Sequence, residues 1–375
     1  MSCHIPEIRM DSLLQQANRM VFVPEAVSAL YLYHGEAMLE QVNNILLERP
    51  DLSELLGGNP QQMMFDNHRY HFEFMANVFE FQGYDMLVRT VPWVYRAYFN
   101  HGFSADYFVA ELEAWVSVIE QILAEEGNTI VAVYEFLLDN HEVFVDLAGQ
   151  HAWDDKVPFF EDAQDAVFYD HLLEGNFAEC FAIGRAFLER TGSLERLYLD
   201  IFQPAMYRIG RDWEMGRISV AKEHLASAVV MRLLASIYPL LDPPSVDKGT
   251  VLVTVAPNEY HEIGAWMVAN TLELDGWKTV YLGANTPCAD FMNLVRAEKP
   301  CLLAFSIAMP FNLRHLKRMI DQLESLSPAE RPFIMVGGQV FRLGNRLQKT
   351  LGADAYADSC VTAAQTARGW WNKVQ

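Results

Sequence analysis

Glu259-Tyr260-His261-Glu262-Ile263-Gly264 begins three residues after an apolar run, Thr250 to Ala256, that reads as a buried strand. A lone Glu-x-His-x-x-Gly hexamer is equally a polar loop on any sheet. Its weight comes from what lies behind it. Forty-one residues separate Gly264 from Ser306, which ends a second apolar run, Cys301 to Phe305. Twenty-eight residues separate Ala308 from the pair Gly337-Gly338, which closes a third run, Phe333 to Val336. Across residues 248–375, short apolar strands at Val251, Thr279, Leu302, Ile334 and Ala355 alternate with helical stretches. That alternation predicts an α/β, doubly wound, five-stranded parallel sheet. Such sheets bind ligands beyond the carboxyl ends of their strands, where His261, Ser306 and Gly337 all fall.

The rest of the chain is helical in pattern. Residues 1–150 carry apolar residues at helical spacing, as in Pro24 to Leu47 with Val27, Leu30, Tyr31, Met38, Val42 and Ile45. Asn59-Pro60 is expected to open a helix through Phe81, with Asn59 as cap and Pro60 in the first turn. Further periodic stretches run from Tyr84 to Asn100, Ser104 to Ala124 and Thr129 to Leu147, with Gly83, Gly102 and Gly127 between them. Residues 150–158 read as a linker. The pieces Phe160–Leu173, Phe177–Glu189, Ser193–Glu214 and Ser219–Leu240 then predict a four-helix bundle over 159–242. The expected protein is multidomain: an all-α N-terminal domain, a four-helix bundle, then the sheet domain.

A chain of 375 residues with 51% hydrophobic content can build several cores. Its net charge of −21 argues against tracking nucleic-acid phosphates, and no basic stripe stands out. The acidity also disfavours anionic membranes. Five scattered cysteines suggest neither a disulfide framework nor a thiolate metal site. The N-terminus, MSCHIPEIRM, lacks an apolar signal core, and no uncharged run of spanning length occurs. A reduced cytoplasmic protein is the expectation.

The chemistry of the hexamer is that of a metal ligand with a carboxylate partner. His261 leaves the first strand in a loop, and Glu259 can orient its ring and raise its basicity toward a metal. Gly264 admits close approach at the start of a helix. Ser306 offers a hydroxyl in the crevice, and Gly337 and Gly338 remove side chains from it. The three spaced elements resemble the Asp-x-His-x-x-Gly, Ser-x-Leu, Gly-Gly fingerprint of the cobalamin-binding Rossmann-like domains of methionine synthase, the mutases and their sensory relatives. The resemblance implies that His261 is the lower cobalt ligand and Glu259 its partner. It implies too that Ser306, Gly337 and Gly338 line the slot for the displaced nucleotide tail. Tyr281-Leu282-Gly283-Ala284-Asn285-Thr286-Pro287 is similar to the family's second loop. Glu259 stands where the family has aspartate, which bears on the bond to His261, and Ala308 where it has leucine.

Trp213 is followed after nine residues by Glu223-His224. The spacing places Trp213 near the end of the third bundle helix and the pair early in the fourth. This resembles the Trp-x9-Glu-His motif of the cobalamin-based photoreceptors among light-responsive MerR-type repressors. That resemblance implies an upper-face lid at Trp213, with Glu223 and His224 around an adenosyl group. His224 would be an upper ligand after photolysis. Adenosylcobalamin is the implied cofactor.

Residues 60–115 are dense in rings, with His68, His71, Arg89, Arg96 and His101 interleaved. Such a stripe is an ordinary aromatic core or a pocket for a flat conjugated ligand whose propionates meet arginine. The order of domains resembles the photocobilins, in which a globin-like bilin-binding domain precedes a cobalamin domain. That implies a bilin such as biliverdin; the ring density places its pocket at His71, Trp93 and Arg96, and the lack of cysteine between Cys3 and Cys180 favours noncovalent binding. Heme, or a domain for interaction alone, stays open.

The readings of function are therefore a cobalamin-based light sensor acting through oligomer change or a protein signalling partner, a corrinoid methyl carrier, and a heme- or cobalamin-sensing antirepressor that docks on a transcription factor. The expected assembly is a homo-oligomer, with no direct nucleic-acid or membrane binding. No nucleophile elbow, Walker loop or HExxH motif appears, so the chain does not read as an enzyme.

Overall fold

The computed structural model describes residues 5–150, 163–242, 244–328, 330–344 and 347–374. The expected linker, apart from its first residue, and the first residues of the expected bundle helix from Phe160 lie outside them. Contacts divide the chain into two units. One comprises Met1–Lys156 with Glu214–Gly216, the other Val157–Trp213 with Arg217–Gln375. Among the described residues no helix is long and apolar enough to cross a membrane.

The first unit is helical throughout its described residues. Its helices are α1 (Ile5–Ala17), α2 (Glu25–Tyr33), α3 (Gly35–Leu47), α4 (Leu52–Leu55), α5 (Gln61–Phe81), α6 (Tyr84–Asn100), α7 (Ala105–Leu123), α8 (Asn128–Asp139) and α9 (His141–Ala148). The expected Pro24–Leu47 helix is two helices, interrupted at His34 (φ −90°, ψ 4°). Thr129–Leu147 is likewise split, at Asn140. Asn59 does not cap α5, whose N-cap is Pro60. Its amide donates instead to the carbonyls of Leu56 and His101, at 2.8 and 2.7 Å, so it ties two turns together. Ile45, expected on the apolar face, is 38% exposed, and Leu39 and Leu46 point inward. The aromatic stripe forms the core. Tyr31, Phe79, Tyr107, Trp115 and Tyr134 are fully buried, and the Tyr31 ring packs 5.0 Å from Phe72 and 5.1 Å from Phe79.

The second unit holds the bundle and the sheet. The bundle comprises α10 (Ala163–Glu174), α11 (Phe177–Thr191), α12 (Leu194–Leu197) continued by a π-helical turn (Tyr198–Phe202) into α13 (Gln203–Glu214), and α14 (Val220–Ile237). Its starts are signalled locally: Asn176, Ser193 and Ser219 accept from the backbone N–H groups of Glu179, Arg196 and Lys222. Phe168, Phe202, Val230, Leu233 and Leu234 fill its core, to which Met267 and Cys360 of the sheet domain also contribute.

The strands are β1 (Thr250–Val255), β2 (Lys278–Tyr281), β3 (Leu302–Ser306), β4 (Phe333–Gly337) and β5 (Ala355–Ala357). They pair in parallel in the order β2-β1-β3-β4-β5, as expected. The sheet's helices are α15 (Ile263–Leu274), α16 (Cys288–Glu298), α17 (Leu313–Glu324), α18 (Leu347–Thr350) and α19 (Cys360–Val374). β1, β3 and β4 are almost wholly buried because helices cover both faces, which is why they read as unbroken apolar runs.

Candidate functional site

Chain order reverses between β1 and β3, so their carboxyl ends open a crevice. Register aligns Val255 with Ser306 and Ser306 with Gly337, setting three of the loops side by side. The loop after β1 carries Glu259 and His261 into this crevice.

Glu259 is fully buried and bridges two loops. Its Oε1 accepts from the backbone N–H groups of Tyr260 and His261, both at 3.1 Å, and lies 2.5 Å from His261 Nδ1. Its Oε2 accepts from the N–H groups of Ala308 and Met309, both at 3.0 Å, and from Asn312 Nδ2 at 3.1 Å. Burial opposes charge on Glu259, but the bonds to His261, Met309 and Asn312 outweigh it and hold its carboxyl below the usual range. Burial likewise disfavours a charged His261, but the Glu259 carboxylate raises its pKa, with a contribution from Glu223. The expected carboxylate–histidine pair is thus present with glutamate in the aspartate's place.

The ring of His261 is 53% exposed. With Nδ1–H committed to a carboxylate, Nε2 carries the lone pair that a metal needs. The donor chemistry therefore fits a cobalt-bearing cofactor with a histidine lower ligand.

Gly264 faces Ser306: a Cβ on it would lie 3.5 Å from Ser306 Oγ, an ordinary contact. The paired glycines have a reason the sequence did not show. At Gly338 (φ 101°) a Cβ would lie 2.2 Å from the Ile307 carbonyl oxygen, and at Gly337 2.6 Å from that of Ala357. The backbone itself excludes side chains there. The second loop is tied to the first: Asn285 Oδ1 accepts from Asn258 N at 2.9 Å, and Tyr281 OH donates to Glu262 Oε2 at 2.8 Å.

From the bundle side, Trp213 is in the last turn of α13 and half-buried, and Glu223 and His224 are in the first turns of α14. Glu223 Oε1 accepts from Ser227 Oγ at 2.8 Å, and its Oε2 lies 3.4 Å from Nε2 of the exposed His224. Arg342, just beyond Gly338, sits 5.7 Å from the ring of Tyr207 on α13. The bundle thus reaches the strand ends at two places, beside His261 and beside the paired glycines.

In the first unit, His71 Nε2 lies 3.2 Å from the Tyr134 hydroxyl, and its ring stacks on Trp115 at 5.6 Å. Arg96 is buried, and its Nε donates to Glu214 at 2.5 Å, so meeting a propionate requires exchange of that partner. Trp93, between them in sequence terms, is half-buried. Sequence reasoning passed over Glu111, which is buried, accepts from Asn67 Nδ2 at 3.0 Å and lies 3.9 Å from His71 Nδ1. Burial raises its carboxyl to about 8, and burial lowers His68 and His71 to about 3. A lone glutamate amid helical periodicity gives no signal.

Residues 249–364 match the B12 binding domain family, and residues 166–238 match a second family that is also described as a B12 binding domain. The bundle and the sheet are thus B12-binding domains. The HTH-type transcriptional repressor CarA of Myxococcus xanthus is 31% identical over 164 residues, 43% of this chain and 54% of that protein. The chain thus spans about half the length of that relative. The repressor CarH of Myxococcus xanthus is 27% identical over 68% of this chain and 80% of its own length. Trimethylamine corrinoid protein 1 of Methanosarcina mazei is 25% identical over 53% of this chain and 90% of its own. The structure of the Methanosarcina barkeri monomethylamine corrinoid protein aligns with 54% of this chain and 96% of its own, at 20% identity and a TM-score of 0.49. The two family matches and the sequence relatives support a cobalamin or other corrinoid cofactor.

Proposed function

We propose that the protein is a cobalamin-based light sensor holding adenosylcobalamin base-off with His261 as lower ligand. The observation that carries the reading is the Glu259–His261 pair, 2.5 Å apart at the carboxyl end of β1, inside a B12-binding domain. Adenosylcobalamin supplies, when bound, a light-absorbing and photolabile cobalt–carbon bond. His261 would hold the metal from below, Ser306 and the Gly337-Gly338 turn would border the nucleotide tail, and Trp213 would shield the upper face with Glu223 and His224 beside it. Similarity to CarA and CarH, together with the Trp-x9-Glu-His spacing, supports the sensory reading over simple carriage. Light would alter the bundle's seating on the strand ends, and the output would be a changed oligomer or a protein partner.

The test is the absorption spectrum and elution volume of protein reconstituted with adenosylcobalamin, in darkness and after green light. A light-induced spectral change with a shift in oligomer size is expected. An unchanged elution volume and spectrum would remove the sensory reading.

A methyl-carrier reading is favoured by the trimethylamine corrinoid proteins, of which the alignment covers 90% in one case. It predicts methylcobalamin bound as tightly as adenosylcobalamin. For the first unit, noncovalent biliverdin in a globin-like domain at His71, Trp93 and Arg96 remains the proposal. Mixing the full chain with biliverdin should give a sharpened, red-shifted band that denaturant abolishes. A spectrum equal to free biliverdin would leave the unit a docking or dimerisation role.

A further inference from the structure

We infer that Asn312 is a positioning residue for His261, acting through Glu259; the inference deepens the cobalamin reading and rests on it. Glutamate is one methylene longer than the aspartate of the fingerprint, and the structure shows what that length does. Oε1 serves the His261 side, taking the imidazole Nδ1–H and the N–H groups of Tyr260 and His261. Oε2 reaches past Ser306 to the loop after β3, taking the N–H groups of Ala308 and Met309 and the amide of Asn312. Six N–H donors therefore converge on one buried carboxylate.

Asn312 is the side chain among those donors that is not the ligand itself. It is 1% exposed, and its Nδ2 also donates to the carbonyl of Asn258, at 3.3 Å. Asn258 has a positive φ of 64° and immediately precedes Glu259. One amide thus fixes both the carboxylate that orients His261 and the turn that delivers it. Partners of this kind typically change metal affinity by about 10–100-fold when lost. A purely structural asparagine would act alike whether or not His261 were present, whereas one acting through Glu259 needs the imidazole.

The experiment is a double-mutant cycle in the full chain, with hydroxocobalamin as probe. Asn312→Ala should weaken binding by about 10-fold or more when His261 is present, and by much less in the His261→Ala background. Equal losses in both backgrounds, or none in either, would overturn the inference. A second measurement keeps it testable if Asn312→Ala folds poorly. In 15N-histidine-labelled apoprotein carrying Asn312→Ser, the His261 signal should move from the Nδ1–H tautomer toward Nε2–H. An unchanged tautomer would also overturn it. Failure of the wild type to bind hydroxocobalamin would remove the cobalamin reading, while the tautomer comparison would still decide whether Asn312 orients His261.

Discussion

Asn270 Nδ2 donates to the Tyr198 hydroxyl across 2.7 Å, and both side chains are buried. The bond joins α15 of the sheet domain to the π-helical turn of the bundle. Removing one partner strands the other in a dry interface, which costs about 1–3 kcal/mol. Tyr198→Phe and Asn270→Ala should each lower the melting temperature, and the double variant should lose less than the sum of the two. Strictly additive losses in thermal denaturation would show that the bond does not couple the two residues.

His261→Ala should cost at least about 10-fold in cobalamin affinity, the scale seen when even a metal ligand's supporting partner is lost. The visible spectrum of what remains bound should show no histidine below the cobalt. Titration followed by absorbance gives both readouts. An unchanged spectrum and affinity would move the lower ligand elsewhere.

Glu259→Asp restores the residue of the fingerprint yet should weaken cobalamin binding. The shorter carboxylate cannot keep Oε1 on His261 and Oε2 on Ala308, Met309 and Asn312 together. Leaving part of this set unmade should also destabilise the domain by about 1–3 kcal/mol. Denaturant unfolding of the apoprotein measures the second effect separately. Wild-type stability and affinity in this variant would show that the extra methylene is dispensable.

Trp213→Ala should reduce adenosylcobalamin affinity about 10-fold (~1.4 kcal/mol) more than methylcobalamin or hydroxocobalamin affinity. The comparison of three dissociation constants isolates the upper face. Equal losses for all three would assign Trp213 to bundle packing.

Glu111, His68 and His71 give the first unit a two-sided pH dependence. Burial raises Glu111 from 4.5 to about 8, so the folded state keeps a proton that the unfolded state releases. Its contribution is complete below pH 4.5 and declines as pH rises through 8. Burial lowers His68 and His71 from 6.5 to about 3, so their contribution is complete above 6.5 and is lost as pH falls through 3. Glu111→Gln should flatten the alkaline limb of melting temperature against pH and leave the acid limb in place. An alkaline limb unchanged by that substitution would mean that Glu111 ionises freely in the folded chain.

The sheet was legible because β1, β3 and β4 are covered on both faces and so appear as apolar runs ending at functional loops. His261 and Ser306 were legible for the same reason, since each follows such a run closely. The glycine pair was found through its spacing, but its close approach to Ile307 and Ala357 depends on loop packing that no local pattern encodes. The helix break at Asn140 was missed because no Gly or Pro marks it, and the break at His34 was missed although Gly35 follows it, because apolar periodicity continues across both. Asn59 looked like a cap because its type favours caps, but His101, distant in sequence, competed for its amide. Asn312 gave no sign, because its role exists only once a longer carboxylate reaches it from the next loop. The extra methylene of Glu259 was the available clue.

The π-helical turn at Tyr198–Phe202 sets the azimuth of everything after it. A wide turn inserts about one extra residue, and each residue turns an α-helix by about 100°. α13 therefore leaves the turn about a quarter-revolution away from where an unbroken continuation of α12 would place it. The face on which Tyr207 meets Arg342, and the direction in which Trp213 projects, are consequences of that single irregularity. The bundle's third helix is aimed by a defect in its winding about three turns before Trp213.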